Sequence, residues 1–168
     1  MRRIQFFLLA NILIPLFLGS FLYCLLSPEV ILVKWADAYL GLRISLENAA
    51  ALRAVFFFRF IRNHLMDMLW GYALVFALFF LSCRKPASCE IKKYRKDEQL
   101  VNKTVTSVLW KIFAISGIFS IMLEGCQLLP QVQGTFDLWD ILLEFLAELL
   151  AVFMIKSYYV TFVEEEKK

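Results

Sequence analysis

Residues 124–148 read EGCQLLPQVQGTFDLWDILLEFLAE, and the fold turns on how this stretch divides. Apolar sequence lies on both sides of Pro130, and the short segment 131–135 contains Gly134, so two helices joined by a tight turn are predicted. On a helix of 3.6 residues per turn, Asp137, Asp140, Glu144 and Glu148 follow steps of three, four and four and fall on one narrow stripe. Glu124 and Gln127 share a face of the preceding helix. A carboxylate inside a membrane-length apolar run costs about 2.5–3.5 kcal/mol on insertion scales, so such groups face protein or a water-filled cavity. By default the stripe marks a functional site.

The composition places that hairpin in a membrane. The chain has 168 residues, 61% of them hydrophobic, and a mean hydropathy of +0.67. It carries several apolar runs of about 20 residues, the length that crosses a bilayer core. One all-α, polytopic membrane domain covering residues 1–168 is the economical reading. The formal charge of +3 is too small for a nucleic-acid partner, and the basic residues are grouped by loop. Cys24, Cys83, Cys89 and Cys126 show no CxxC spacing and have no nearby His, so they indicate no zinc site, and no metal or cofactor is expected from them. Cys24 and Cys126 would both lie near the outer face, where apolar packing is expected of them rather than a disulfide.

Four transmembrane helices are predicted, at about 4–26, 65–83, 107–129 and 136–160. The first is too long for a signal-peptide core and lacks a small-x-small cleavage site, so it is read as an uncleaved span with a kink at Pro15. Residues 27–64 mix charges with apolar patches and are expected to lie as helical segments along the outer interface, arginine stems on apolar surface and heads in water. Residues 84–103 form a basic loop. The loop, both ends of the sequence, Lys111 and Lys156 hold 13 of the 18 Lys and Arg residues, which puts that side in the cytoplasm. The expected location is therefore a cell membrane, crossed several times with both termini cytoplasmic.

In an antiparallel hairpin, residues equidistant from the turn share a depth. Gln127 then matches Asp140, Glu124 matches Glu144, and Phe119 matches Glu148, which lies near the midplane. Asp67 enters the second span from the same side, with His64 three residues before it and Arg59 at a four-residue step from Asn63. An outward vestibule lined by carboxylates, with arginines at its rim, is the expected constellation.

Four roles fit these residue types. The carboxyl and amide groups can lock the helices together by hydrogen bonds. They can instead receive the hydroxyl or amine groups of an amphiphile, with Arg59 and Arg62 as anion contacts for phosphate. With His64 they can perform general acid–base chemistry, or they can hold a divalent cation through oxygen. No HExxH, DxD or Ser-x-x-Lys spacing accompanies the last two. Glu148 is expected to be neutral and bonded to Ser116 or Ser120 on the neighbouring helix.

The arrangement resembles the VanZ-like family of small bacterial membrane proteins. The likeness rests on Glu124-x-x-Gln127, a turn containing Gly134, and Asp137-x-x-Asp140 opening the last helix, together with Asp67-x-x-Trp70 at the entrance to the second span. It implies a membrane domain of four or five helices, a place in the cell envelope and lowered sensitivity to lipoglycopeptides such as teicoplanin. It implies membrane lipids as surroundings, a lipoglycopeptide or cell-wall lipid as ligand, and Asp67, Trp70, Glu124, Gln127, Gly134, Asp137 and Asp140 as the matching positions. Many members carry an Arg near the turn, where this chain has Gly134-Thr135-Phe136, and Asn and Gly where this chain has Glu144 and Ala147. Recognition of an amphiphile is thus the expected function, more so than catalysis. The alternatives are a membrane-embedded enzyme acting on a lipid head group through Asp67, Glu124 and Asp140, and a structural membrane subunit.

Overall fold

A computed structural model describes residues 2–26, 38–39, 41, 60, 64–84, 98–128 and 137–165. Four long helices make up almost all of it: α1 (Arg2–Leu26), α2 (Met66–Arg84), α3 (Glu98–Cys126) and α4 (Leu138–Glu165). The interfacial segment expected at 27–64, with Arg59 and Arg62, lies almost wholly outside the described residues, as does the turn containing Gly134. Most of the basic loop and Cys89 lie outside them too.

Two helices extend beyond the expected spans, and α3 also ends three residues early. Helix α3 begins at Glu98, inside the predicted loop, and ends at Cys126, where Gln127 and Leu128 turn away. Helix α4 runs on to Glu165, into the charged tail. The reason is the same for the two extensions: Glu, Gln and Lys are good helix formers, so a helix need not stop where its apolar residues do.

Helix α2 packs against the other three, and α3 also packs on α4. The pairs Phe7–Phe76, Asn11–Tyr72 and Gly19–Leu69 step in opposite directions along α1 and α2, so these two are antiparallel. Contacts from Gly71 to Glu144 and from Phe79 to Tyr159 run the same way along α2 and α4, which are parallel. Asn11, which interrupts the apolar run of α1, is satisfied on both sides. Its Nδ2 donates to the Phe7 carbonyl at 2.9 Å, and the Tyr72 hydroxyl donates to its Oδ1 at 2.7 Å. Pro15 sits within α1 without ending it.

The bundle is apolar at one end and polar at the other. Phe76, Phe79, Val105, Leu109, Ala151 and Ile155 form a buried core where α2 ends and α3 begins. Toward the opposite end the buried side chains become Ser116, Ser120, Glu148, Glu144 and Glu124. The outer faces carry the reverse pattern. Phe6, Phe17, Ile118, Met122, Leu146 and Phe153 are all exposed, a surface suited to hydrocarbon rather than water.

Among the described residues, three helices are long and apolar enough to cross a membrane: Arg3–Leu22, Met66–Cys83 and Asn102–Cys126. Helix α4 is as long as α3 within a residue, but it carries Asp140, Glu144 and Glu148. Glu144 and Glu148 are turned inward, whereas Leu142, Leu146, Leu150 and Phe153 are exposed. Trp70 and Trp139 are exposed near the polar end, and Trp110 is exposed near the middle of α3.

A candidate polar site between three helices

The start of α4 builds the mouth of the site. Asp137 caps the helix, its Oδ1 accepting the Trp139 N–H at 2.9 Å, and the Asp140 N–H donates to the Asp137 carbonyl at 3.2 Å. Two carboxylates in this position also face the positive end of the helix dipole. Helix start-up alone therefore explains an acid at each position, and the site must rest on what gathers around them.

His64 is the first such partner. It precedes α2 in a wide π-type turn with Leu65, and its Nδ1 bonds to the Asp140 Oδ1. Both side chains are mostly buried. Phe60 packs beside the imidazole, ring centroids 5.0 Å apart. Asp67, in the first turn of α2, is close enough to Asp140 and Glu124 to be repelled by both and to His64 to be attracted by it.

Helix α3 contributes its last turn. Glu124 is only 6% exposed, and its Oε1 accepts the Gln127 side-chain N–H at 2.7 Å. Its Oε2 is buried without a hydrogen-bond partner among the described residues. The same carboxylate is electrostatically coupled to the Asp137 backbone N–H and to the Asp140 and Asp137 carboxylates, so it faces the start of α4.

Deeper in the bundle the acids continue. Glu144 is 6% exposed and Glu148 is fully buried. The Ser120 hydroxyl donates to Glu148 Oε1 at 3.0 Å and also lies within reach of Glu144. Glu148 Oε2 has no partner among the described residues, while Ser116 is beside it and donates to the Phe113 carbonyl at 3.2 Å. Two glycines allow the close approach. A Cβ on Gly71 would stand 2.5 Å from Glu144 Cγ, and one on Gly117 would stand 3.1 Å from Phe145 Cε1.

The residues form a column of carboxyl groups that starts half-buried at Asp137, Asp140 and Asp67, passes Glu124 and Glu144, and ends at Glu148 above the apolar core. Among the predicted site residues, Asp67, Glu124, Gln127, Asp137, Asp140 and Glu144 meet here. Trp70 is 49% exposed on the outer surface of α2 at the same end. The sequence places His64 three residues before Asp67 and offers it as an acid–base partner of the carboxylates; its pairing with Asp140 in particular depends on how α2 and α4 lie side by side. Gly71 gave no signal beyond being a lone glycine in an apolar run.

Such a column offers hydrogen-bond acceptors, carboxylates that attract cations, and one imidazole for proton transfer. An apolar groove lined by Arg3, Phe6, Phe7, Ala10 and Tyr158 lies at the other end of the bundle. No family model, curated protein or solved structure matches the chain.

Proposed function

We infer that the chain is a multi-pass protein of a bacterial cell membrane, with α1 to α4 all spanning and both termini in the cytoplasm. Its polar column opens to the outside and receives the head group of an amphiphile or cell-wall lipid. The observation that supports this reading is that the carboxyl groups run from the half-buried Asp67, Asp137 and Asp140 at one end of a bundle with apolar outer faces inward to Glu148, beyond which Phe76, Phe79, Leu109 and Ile155 fill the interior. A site with one mouth and an apolar floor suits capture of a ligand better than passage through the membrane.

The residues favour hydroxyl- and amine-bearing groups, which donate hydrogen bonds to carboxylates. Arg59 and Arg62, next in sequence to this mouth, supply anion contacts for a phosphate on the same head group. The function is VanZ-like: a membrane-bound receptor for such amphiphiles that lowers susceptibility to lipoglycopeptides such as teicoplanin. The test compares teicoplanin susceptibility of cells carrying the wild type, Glu124→Gln or Asp140→Asn, with membrane abundance measured in the same cells. The expected result is protection by the wild type and its loss in both variants at equal abundance. No protection by the wild type removes the resistance reading.

The His64–Asp140 pair favours one second reading, a membrane-embedded enzyme. An imidazole held by a carboxylate can move a proton at a lipid head group, with Asp67 and Glu124 alongside. Turnover of a labelled lipid by the purified protein would select it, whereas saturable binding without turnover selects the receptor.

A further inference from the structure

We propose that His64, Asp137 and Asp140, with the buried Glu124 carboxylate behind them, hold a divalent transition cation at the mouth of the column. The proposal deepens the head-group reading by supplying the charge that the site lacks. One imidazole nitrogen of His64 and one oxygen from each of Asp137 and Asp140 all lie within 4.8 Å of one another. Donors that share an ion at about 2.1 Å stand roughly 3–4 Å apart, so side-chain adjustments at the surface of the site suffice to close the shell. The His64–Asp140 contact opens to admit the ion between its two partners.

Glu124 is the independent observation. Glu124 comes from α3, and its carboxylate meets the Asp137 backbone N–H and the Asp137 and Asp140 carboxylates, with one oxygen buried and without a hydrogen-bond partner among the described residues. Leaving a buried charged oxygen without a partner is costly, and packing it against two more carboxylates adds repulsion. A bound cation reverses both terms. It gives Glu124 Oε2 a counter-charge, either directly or through a coordinated water, and turns the Asp137–Asp140–Glu124 repulsion into attraction. The Gln127 amide on Oε1 and the Trp139 N–H on Asp137 Oδ1 then act as the outer hydrogen bonds that orient ligands.

The donor set indicates which ion. Carboxylate oxygens alone suit Mg2+ or Ca2+, whereas a nitrogen among them shifts the preference to Mn2+, with Zn2+ as the stronger competitor. An ion left with open positions can then accept a phosphate or hydroxyl oxygen of a lipid head group, which carboxylates would otherwise repel.

The chain has a single histidine, which makes the test direct. Mn2+ is titrated into the full-length protein, purified in detergent through a tag without histidine, and the signal of the free hydrated ion is followed by electron paramagnetic resonance. One bound Mn2+ per chain is expected, displaced by Zn2+. Pulsed spectra should show coordinated imidazole nitrogen, which only His64 can supply. His64→Gln should remove that nitrogen signal, and it and Asp140→Asn should each weaken binding by about tenfold or more.

Wild-type spectra with no imidazole nitrogen, or no stoichiometric binding by monodisperse helical protein, overturn the proposal. Because the wild-type spectrum is decisive, a variant that fails to fold does not obscure the answer. Binding of Mn2+ without protection against teicoplanin would remove the resistance reading and keep the cation site. Protection without binding would do the opposite.

Discussion

Gly71→Ala is expected to destabilise the bundle by about 1–3 kcal/mol, the usual cost of forcing a methyl group into a packed interior. The new Cβ would meet Glu144 Cγ at 2.5 Å, its Oε1 at 3.2 Å and Glu148 Cγ at 3.3 Å. Glu144 cannot swing away cheaply, because it is itself buried between helices. The clash is with the stem of the side chain rather than its mobile end, so α2 and α4 must separate. Membrane helices use small residues in this way to bring backbones together.

Gly125→Ala is the control. Among the described residues nothing lies within 4 Å of a Cβ there, and alanine is favoured over glycine in a helix by up to about 1 kcal/mol. Thermal unfolding in detergent should therefore show a lowered midpoint for Gly71→Ala and an unchanged or raised one for Gly125→Ala. Equal effects would mean that α2 and α4 do not meet at Gly71.

The second large effect concerns the floor of the column. Ser120→Ala is expected to cost about 1–3 kcal/mol, because it removes the 3.0 Å hydrogen bond that Ser120 donates to the Glu148 carboxyl and leaves that group buried with Ser116 as its remaining polar neighbour. Glu148→Leu is expected to be neutral or stabilising, since exchanging a buried ionisable group for an apolar one of similar volume often is. The double change Ser120→Ala with Glu148→Leu should be no worse than Glu148→Leu alone. A double-mutant cycle of unfolding free energies measures this directly, and strict additivity would contradict the contact.

The same variants separate stability from function. If the receptor reading holds, Glu148→Leu keeps or gains stability while losing ligand capture, the trade-off expected when a strained group is retained for use. A loss of abundance together with capture would instead make Glu148 a packing residue.

Much of the fold was legible because it depends on properties that a single helix carries. The runs at 4–26 and 65–83 correspond closely to α1 (Arg2–Leu26) and α2 (Met66–Arg84), since a membrane-length apolar run is hard to read another way. Depth matching about the turn paired Glu148 with residue 119, and the bond observed is to Ser120. The same reasoning brought Asp67, Glu124, Gln127 and Asp140 to one end. The early start of α3 at Glu98 was not legible from hydropathy, because polar helix formers and a solvated loop give the same signal.

The lateral order of the helices was also hidden. Periodicity shows which face of a helix is polar but not which helix it meets, so neither the His64–Asp140 contact nor the approach of Gly71 to Glu144 could be derived. The Tyr72–Asn11 bond is a further case: each residue reads alone as a polar interruption, and only the packing of α1 on α2 makes them partners.

Cys126 offers the most direct test of the claim that the column opens outward. It is exposed, two residues beyond Glu124, at the same end as the His64–Asp140 pair. With Cys24, Cys83 and Cys89 replaced by serine, intact cells are treated with a membrane-impermeant maleimide. Labelling of Cys126 before the cells are opened is the predicted result, and it places the mouth of the site outside. Labelling only after permeabilisation would turn the mouth toward the cytoplasm and contradict recognition of an external amphiphile.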